Sequence, residues 1–169
     1  METPLEISLS KGRKEEMIAY LRIHVNYLPE AFELAVSNKQ PFCWRAAWLL
    51  QNCLKKNHPL LVKFLPKLIH VLPEKNDGHQ REILKLLFLV DWTEELEGEL
   101  YTHCIEIWKK IYKSPSVRIN AMHVLLEIGK KYPALKSEIK LLLNEDYLDS
   151  LSPGIKRSFI KQLDKIQLS

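Results

Sequence analysis

The sequence predicts an all-α fold, an α-α superhelix of about four antiparallel helix pairs closed by a terminal capping helix. A segment that opens at Pro115 repeats a segment that opens at Pro41. Apolar residues recur every three or four positions and not every two, and the chain contains only five glycines in 169 residues. A repeat of about 37 residues that starts with proline is typical of stacked helical pairs, which bind partners far more often than they catalyse reactions.

The first helix of each pair is predicted from an apolar stripe, a row of apolar residues three or four positions apart along one helix face. An offset of 75 residues aligns Leu50 with Leu125 and the double lysine Lys55 and Lys56 with Lys130 and Lys131. The aligned apolar positions lie on one helix face. First helices are therefore predicted to begin at Pro41, Gly78, Pro115 and Pro153.

The second helices are predicted from their start signals. Proline is favoured in a first helical turn, and threonine followed by acidic residues caps a helix start. These signals predict second helices over residues 59–72, 93–112 and 133–143, and a further pair over residues 11–27 and 29–37. Pro66 lies inside the first of these helices and is expected to kink or split it.

The repeats predict one α-solenoid domain over residues 1–169. Residues 1–40 form an N-terminal helical cap, the repeat units are 41–77, 78–114 and 115–152, and residues 153–169 form a C-terminal capping helix. The stripe of that last helix consists of Ile155, Phe159, Leu163 and Ile166. The middle unit departs from the others because it lacks the double lysine and is net acidic.

Composition limits the classes of function. The chain is 46% hydrophobic and 27% charged, with a formal net charge of +4, which is modest for a dedicated nucleic-acid binder. Three cysteines without a C-x-x-C pair favour a reducing compartment. The first residues show no signal peptide and no segment is apolar enough to span a bilayer, so we expect a soluble cytoplasmic protein.

The repeat residues also indicate a family. They are Pro115, Val117, Arg118, Ala121, Leu125, Ile128 and Gly129. In these residues the chain resembles a HEAT-repeat or armadillo-like α-solenoid. First helices of that family often carry a basic residue soon after the opening proline, and Arg81, Arg118 and Lys156 occupy the corresponding positions here. The resemblance implies a curved stack whose second helices line the concave surface, and a role as a scaffold or binding module without a specified partner.

Lysines spaced four residues apart on the second helices are the candidate partner-binding residues. They are Lys63 and Lys67, Lys109 and Lys113, and Lys136 and Lys140. Each pair is expected to share one helix face, and together the pairs predict a basic strip for an acidic protein or peptide, or alternatively for a phosphate backbone. A merely solvated helix face explains the same pattern. Trp92, in a turn after Asp91, is a further candidate and is expected to be more accessible than Trp108.

Two aromatic residues allow alternative interpretations. Trp44 and Trp48 share a face and are expected to pack between helices, although an exposed recognition platform has the same spacing. HEAT-like folds include alkylpurine DNA glycosylases, in which tryptophans and an aspartate act in a basic channel. Trp44, Trp48, Asp91 and Trp92 match those residue types, but no sequence motif supports the roles.

Catalytic and metal motifs are absent from the sequence. It contains no phosphate-binding glycine loop, nucleophile elbow or H-E-x-x-H helix. Glu99, His103 and Glu106 share a helix face and could contribute to a metal site, but a surface ion-pair cluster is the preferred interpretation. We therefore predict a non-enzymatic protein without a cofactor, metal or small-molecule substrate.

Overall fold

A computed structural model describes residues 1–165, and this part of the chain is all-helical, without a strand. The helices are α1 (Pro4–Lys11), α2 (Lys14–Ile23), α3 (Leu28–Val36), α4 (Phe42–Cys53), α5 (Pro59–Val71), α6 (Asp77–Leu87), α7 (Glu94–Lys109), α8 (Pro115–Lys131), α9 (Lys136–Leu142), α10 (Glu145–Leu148) and α11 (Pro153–Lys165). The predicted fold class is confirmed. Across residues 1–165, no helix combines the length and the apolar character that crossing a membrane requires.

The chain divides into two compact units. The first comprises Met1–Leu96, and the second begins at Glu97, within the first turn of α7. Each unit is described by itself below. The prediction of one domain over residues 1–169, with its internal repeat boundaries, stays a prediction.

The N-terminus holds a helix that the sequence reading missed. We predicted one helix over residues 11–27, but α1 and α2 are separate helices on either side of Gly12. A capping box starts α1: the Thr3 hydroxyl accepts from the Glu6 N–H, and the Thr3 N–H donates to the Glu6 carboxylate, both at 3.1 Å. The N–H of Gly12 closes α1 on the Ser8 carbonyl, and a Cβ at this glycine would lie 2.6 Å from that oxygen.

The core of the first unit lies around α4, which packs against α3 on one side and α6 on the other. Leu50 of α4 is fully buried. Two polar side chains join α3 to the segment that begins α6. The ammonium of Lys75 donates to three oxygens at the end of α3, and the His79 ring bonds the Ala35 carbonyl at 2.7 Å. Orphan carbonyls at a helix end are thereby satisfied.

Several predicted helix ends differ from the structure. Pro66 lies inside α5, which continues through it from Pro59 to Val71, so the predicted split is wrong. At Pro133 the chain forms only a 3-10 turn before α9 begins at Lys136. The helix predicted over residues 93–112 ends at Lys109, and α10 was not predicted.

The second unit is built around Trp108 of α7 and Arg118 of α8, both fully buried. Phe159 of α11 packs on the Trp108 ring with their centroids 5.7 Å apart, so the predicted last helix buries one member of its stripe. Ile155 of that stripe is 36% exposed, and Ile166 lies outside the described residues. Leu125 is fully buried, as predicted.

Hydrogen bonds that join positions one repeat apart recur in both units. In the first unit, Lys67 donates to Glu33 and the Asn57 side chain donates to Asp91. In the second, the Trp108 indole donates to the Leu142 carbonyl. Each of these pairs is separated by 34 residues in the chain. The repeat therefore recurs in the polar contacts as well as in the apolar stripe.

Candidate functional site

A cavity of about 700 Å³ opens on the first unit, and α2, α4 and α6 form its walls. The cavity therefore lies on the first helices of the pairs and not on the second helices that the sequence reading favoured. Its size is in the range of ligand pockets, about 300–1,000 Å³. The residues that line it are Gly12, Arg13, Lys14, Glu15, Met17, Trp44, Arg45, Trp48, Arg81, Glu82 and Lys85.

Two indoles form the aromatic part of the cavity wall. Trp44 and Trp48 lie four residues apart on α4, and both are half-buried. Neither of the two sequence interpretations therefore describes them fully, because each ring packs partly into the protein and also lines the cavity. The Lys14 ammonium lies 6.0 Å from the Trp48 ring centroid, and the Arg45 guanidinium lies 5.4 Å from that of Trp44. These distances are typical of cation–π contacts.

The cavity lining carries five basic and two acidic side chains. Arg13 and Lys14 are exposed at the start of α2, and Glu15 is the exposed acidic residue beside them. The N-terminal end of a helix carries a partial positive charge, which adds to the charge of these side chains. The electrostatic character of the cavity therefore favours an anionic partner.

Arg45 is held in place by α1. Its guanidinium donates to the carbonyls of Leu9 and Ser10, at the end of that helix. Because the guanidinium satisfies two helix-end carbonyls and also lies over an indole, it is pre-organised and loses little side-chain entropy when a ligand binds. The opening residues of the chain thus support the wall of the cavity.

Glu82 is the buried acidic residue of the cavity, with a side chain only 2% exposed. Its Oε1 accepts from Arg81 Nε at 2.7 Å and lies 3.6 Å from Lys85 Nζ. Its Oε2 is buried and has no hydrogen-bond partner among the described residues. A buried carboxylate oxygen without a donor is rare in folded proteins, so it calls for an explanation.

The sequence-predicted lysines occupy varied positions. On α5, Lys63 and Lys67 are exposed and share a face, as predicted, but Lys67 forms an ion pair with Glu33 at 2.8 Å. On α9, Lys136 and Lys140 also share a face, with the first half-buried and the second exposed. A continuous strip through these pairs stays a prediction.

The third lysine pair does not share a helix face. Lys109 is the last residue of α7, whereas Lys113 lies in the turn that follows. Ser114, which precedes Pro115, adopts φ −58° and ψ 141°, because a residue before proline is disfavoured in the helical conformation. The helix ends at Lys109, earlier than predicted, and this pair does not form the expected basic ridge.

The turn that holds Asp91 and Trp92 has a structural role. Asp91 exchanges two hydrogen bonds with the Asn57 side chain, at 2.7 and 2.9 Å, and forms an ion pair with Lys56 at 2.8 Å. The Trp92 indole N–H donates to the Leu87 carbonyl at the end of α6. Trp92 is half-buried and Trp108 is fully buried, so the expected order of accessibility is confirmed. Neither Asp91 nor Trp92 is among the residues that line the cavity beside Trp44.

The two aligned double lysines lie at different positions relative to their helices. Lys55 and Lys56 lie beyond α4, which ends at Cys53. Lys130 and Lys131 do end α8, where they form ion pairs with Glu127 and Glu97. Only the second pair therefore lies in the last turn of its helix.

The residues considered for a metal site form a simple polar contact. His103 Nε2 and Glu99 Oε1 lie 3.3 Å apart on α7. Across residues 1–165, no three His, Cys, Asp or Glu side chains are arranged to hold a metal ion. Burial raises the pKa of the Cys104 and Cys43 thiols, and this keeps both in their less nucleophilic protonated form.

Most of the cavity residues were missed from the sequence. Arg13, Lys14, Glu82 and Lys85 carried no motif, and they meet because α2 and α6 both pack on α4. The only available signal was the spacing of Trp44 and Trp48 with Arg45 between them. This combination of tryptophan and arginine is typical of binding surfaces.

Comparison with protein families adds one match. The family model described as "HEAT repeat domain" matches residues 1–166 of the chain. Comparison with curated proteins and with solved structures finds no match.

Proposed function

Because the chain belongs to the HEAT repeat domain family, we propose that it is a non-enzymatic interaction module that binds an acidic segment of a partner protein in the α2–α4–α6 cavity. HEAT repeats generally serve as protein-interaction scaffolds. The cavity is a concave surface of the first unit, and its walls come from the first helices α2, α4 and α6. The proposed binding surface therefore lies on the first helices of the pairs and not on the second helices, which carry the predicted lysine pairs.

The observation that carries this proposal is the charge of the cavity. Five basic side chains against two acidic ones produce a positive potential, and the walls of protein around them exclude part of the water that would screen it. An acidic segment is the protein ligand that complements this potential. Arg13 and Lys14 are its expected first contacts because both are exposed.

The residue types at the cavity favour a protein ligand as well. Tryptophan and arginine are enriched among the residues that contribute most to protein–protein binding energy, and they cluster in partly desolvated pockets. Here Trp44 and Trp48 lie beside Arg45 and Arg81 in one concavity. Because both indoles are half-buried, little further side-chain entropy is lost when a segment covers them.

A charge-reversal experiment tests the proposal. The probe is the capped acidic peptide Ac-Glu-Leu-Glu-Glu-Leu-Glu-NH2, and its affinity is measured by calorimetry. The double variant Arg13→Glu, Lys14→Glu should weaken binding by about tenfold or more, a loss of about 1.4 kcal/mol. The matched control is Lys63→Glu, Lys67→Glu, which makes the same change of charge on α5.

The two variants separate the two surfaces. If the α5 control alone loses the peptide, the second helices form the site and the cavity proposal is wrong. If the unmodified protein does not bind the peptide at all, the proposal of an acidic partner segment fails. Circular dichroism of each variant verifies that its helices are intact.

Nucleic acid is the second candidate partner, and the observation in its favour is the same-face lysines on α5 and α9. Phosphate contacts release counterions, so binding of duplex DNA should weaken steeply and for any sequence as salt rises. The variant that tests it replaces Lys63, Lys67, Lys136 and Lys140 with glutamate. Failure of the unmodified protein to bind duplex DNA at low salt would remove this candidate.

A further inference from the structure

Glu82 has a carboxylate oxygen that the protein leaves without a donor. Arg81 and Lys85 both approach Oε1, and Oε2 is buried without a hydrogen-bond partner among the described residues. The other two carboxylates buried within residues 1–165, Glu6 and Glu97, use both of their oxygens. Glu6, for example, accepts from Lys39 through Oε1 and from the Thr3 N–H through Oε2.

Glu82 is placed so that a ligand can supply the missing donor once the carboxyl turns towards the cavity, since Oε2 exposes less than 1 Å² of surface as it stands. Glu82 lines the same cavity as the two indoles, at the wall formed by α6. Arg81 and Lys85 both interact with Oε1, so their positioning does not explain why Oε2 is buried without a donor. A ligand that entered the cavity without a donor would leave Oε2 unpaired and even further from water.

The surroundings of Glu82 restrict the type of donor. A cationic donor would enter a cavity that already holds five basic side chains, so like-charge repulsion disfavours it. A neutral donor on a planar ring meets no such repulsion, and the ring can pack against Trp44 and Trp48 in an offset or edge-to-face arrangement. Tyrosine and tryptophan combine a ring with a donor that carries no positive charge at any ordinary pH, whereas histidine, the other ring with an N–H donor, becomes a cation near its usual pKa of about 6.5.

We infer that the cavity recognises an acidic segment with a tyrosine or tryptophan anchor, whose O–H or N–H donates to Glu82 Oε2. This inference rests on the proposed function, because it assumes that the occupant is an acidic protein segment. The flanking acidic side chains contact the exposed cations Arg13 and Lys14. Glu82 is then the residue that determines specificity, and the cations determine general affinity.

Two capped peptides that differ by one hydroxyl test the inference. Ac-Glu-Tyr-Glu-NH2 and Ac-Glu-Phe-Glu-NH2 have the same charge and the same backbone donors, and calorimetry measures their affinities for the unmodified protein. The tyrosine peptide should bind about tenfold more tightly or better, because a site built to accept from a hydroxyl strongly rejects the analogue that lacks it. Equal affinities would overturn the inference and leave the proposed function standing.

Variants of Glu82 locate the effect. Glu82→Met removes the acceptor and should abolish the preference for tyrosine over phenylalanine. Should that variant fail to fold, Glu82→Gln preserves the shape and should reduce the preference, since a neutral acceptor forms a weaker hydrogen bond than a carboxylate. The matched control is Glu6→Gln, which alters a buried carboxylate of the same unit away from the cavity and should leave the preference unchanged.

The remaining outcomes are also decisive. If neither peptide binds, the proposed function fails together with the inference. Adenosine monophosphate also combines a planar donor-bearing ring with an anion, and it is added as a competitor. Tighter binding of the nucleotide than of the tyrosine peptide, lost in Glu82→Met, would overturn the protein segment in favour of a nucleotide.

Discussion

The guanidinium of Arg118 lies over the ring of Trp108, 4.8 Å from its centroid, and also donates to the Trp108 carbonyl at 2.9 Å. Two further bonds, to the Tyr147 carbonyl in α10 and to the Ser150 hydroxyl just after it, hold this helix and the chain that follows it. Arg118 has no carboxylate among these partners, and burial lowers its pKa. One side chain therefore connects the end of α7 to the segment before α11.

Replacement of Arg118 by lysine should destabilise the second unit although the charge is kept. An ammonium cannot reproduce the planar fork that reaches three acceptors and stacks on an indole. Because buried acceptors lose charge-assisted bonds, we expect a loss of about 2–4 kcal/mol in the free energy of unfolding, measured by urea denaturation. The matched control is Arg157→Lys on the exposed surface of α11, and an equal effect of both variants would contradict the proposed role.

The apolar alignment makes a second prediction. Leu50 and Leu125 occupy equivalent positions, and both are fully buried. Truncation of either to alanine should cost about 2–5 kcal/mol, because the apolar contacts are lost and a cavity remains. Leu141→Ala is the control, since that side chain is 72% exposed. A thermal melt that Leu125→Ala leaves unchanged would contradict the repeat alignment itself.

The apolar stripe was predictable from sequence because helix periodicity and core burial follow from the same spacing. Leu50, Leu125 and Phe159 were all placed on buried faces, and all three are buried. Helix ends were less predictable because they depend on local caps. The signal at Thr3 and Glu6 was present in the sequence, but no helix was predicted before residue 11, and α1 was missed.

The cavity was not predictable by the same means. Arg13, Trp48 and Glu82 come from three separate helices, and no spacing within one helix encodes their meeting. The lysine pairs were visible because they lie within single segments, and for the same reason they carry little information about tertiary structure. The absence of a partner for Glu82 Oε2 is a purely three-dimensional property.

Asn57 provides a prediction that separates backbone strain from side-chain bonding. It adopts a left-handed conformation with φ 56°, and its side chain exchanges two hydrogen bonds with Asp91. Asn57→Gly should lose only these bonds, because glycine adopts this conformation without cost. Asn57→Ala should cost about 1–2 kcal/mol more than the glycine variant, since a Cβ is strained there.

Urea denaturation of the first unit measures both Asn57 variants. Intrinsic fluorescence reports mainly on this unit because three of the four tryptophans, Trp44, Trp48 and Trp92, lie within it. Asp91→Ala is the companion variant: it removes the carboxylate that accepts from the Asn57 amide and pairs with Lys56, but it keeps the backbone N–H that donates to Asn57 Oδ1, so it tests one of the two bonds that Asn57→Gly removes. If alanine and glycine at position 57 are equally stable, the left-handed conformation contributes nothing to the cost.

Acid should destabilise the first unit through His79. Burial lowers the pKa of this histidine from 6.5 to about 4, and the nearby Lys75 ammonium acts in the same direction. Between these values the unfolded chain binds the proton more readily than the folded chain. The contribution of neutral His79 to the free energy of unfolding is therefore complete above about pH 6.5. It decreases as the pH falls towards 4, by an amount of the order of 3 kcal/mol.

The variant His79→Gln isolates this contribution from that of the carboxylates. A glutamine amide can still donate to the Ala35 carbonyl, which now accepts from the His79 ring, but it does not titrate in this range. Unfolding free energies of both proteins are measured by urea denaturation at a series of pH values. The unmodified protein should lose more stability than the variant on acidification. Parallel pH dependences would show that the neutral form of His79 does not support the fold, because the carboxylates titrate equally in both proteins.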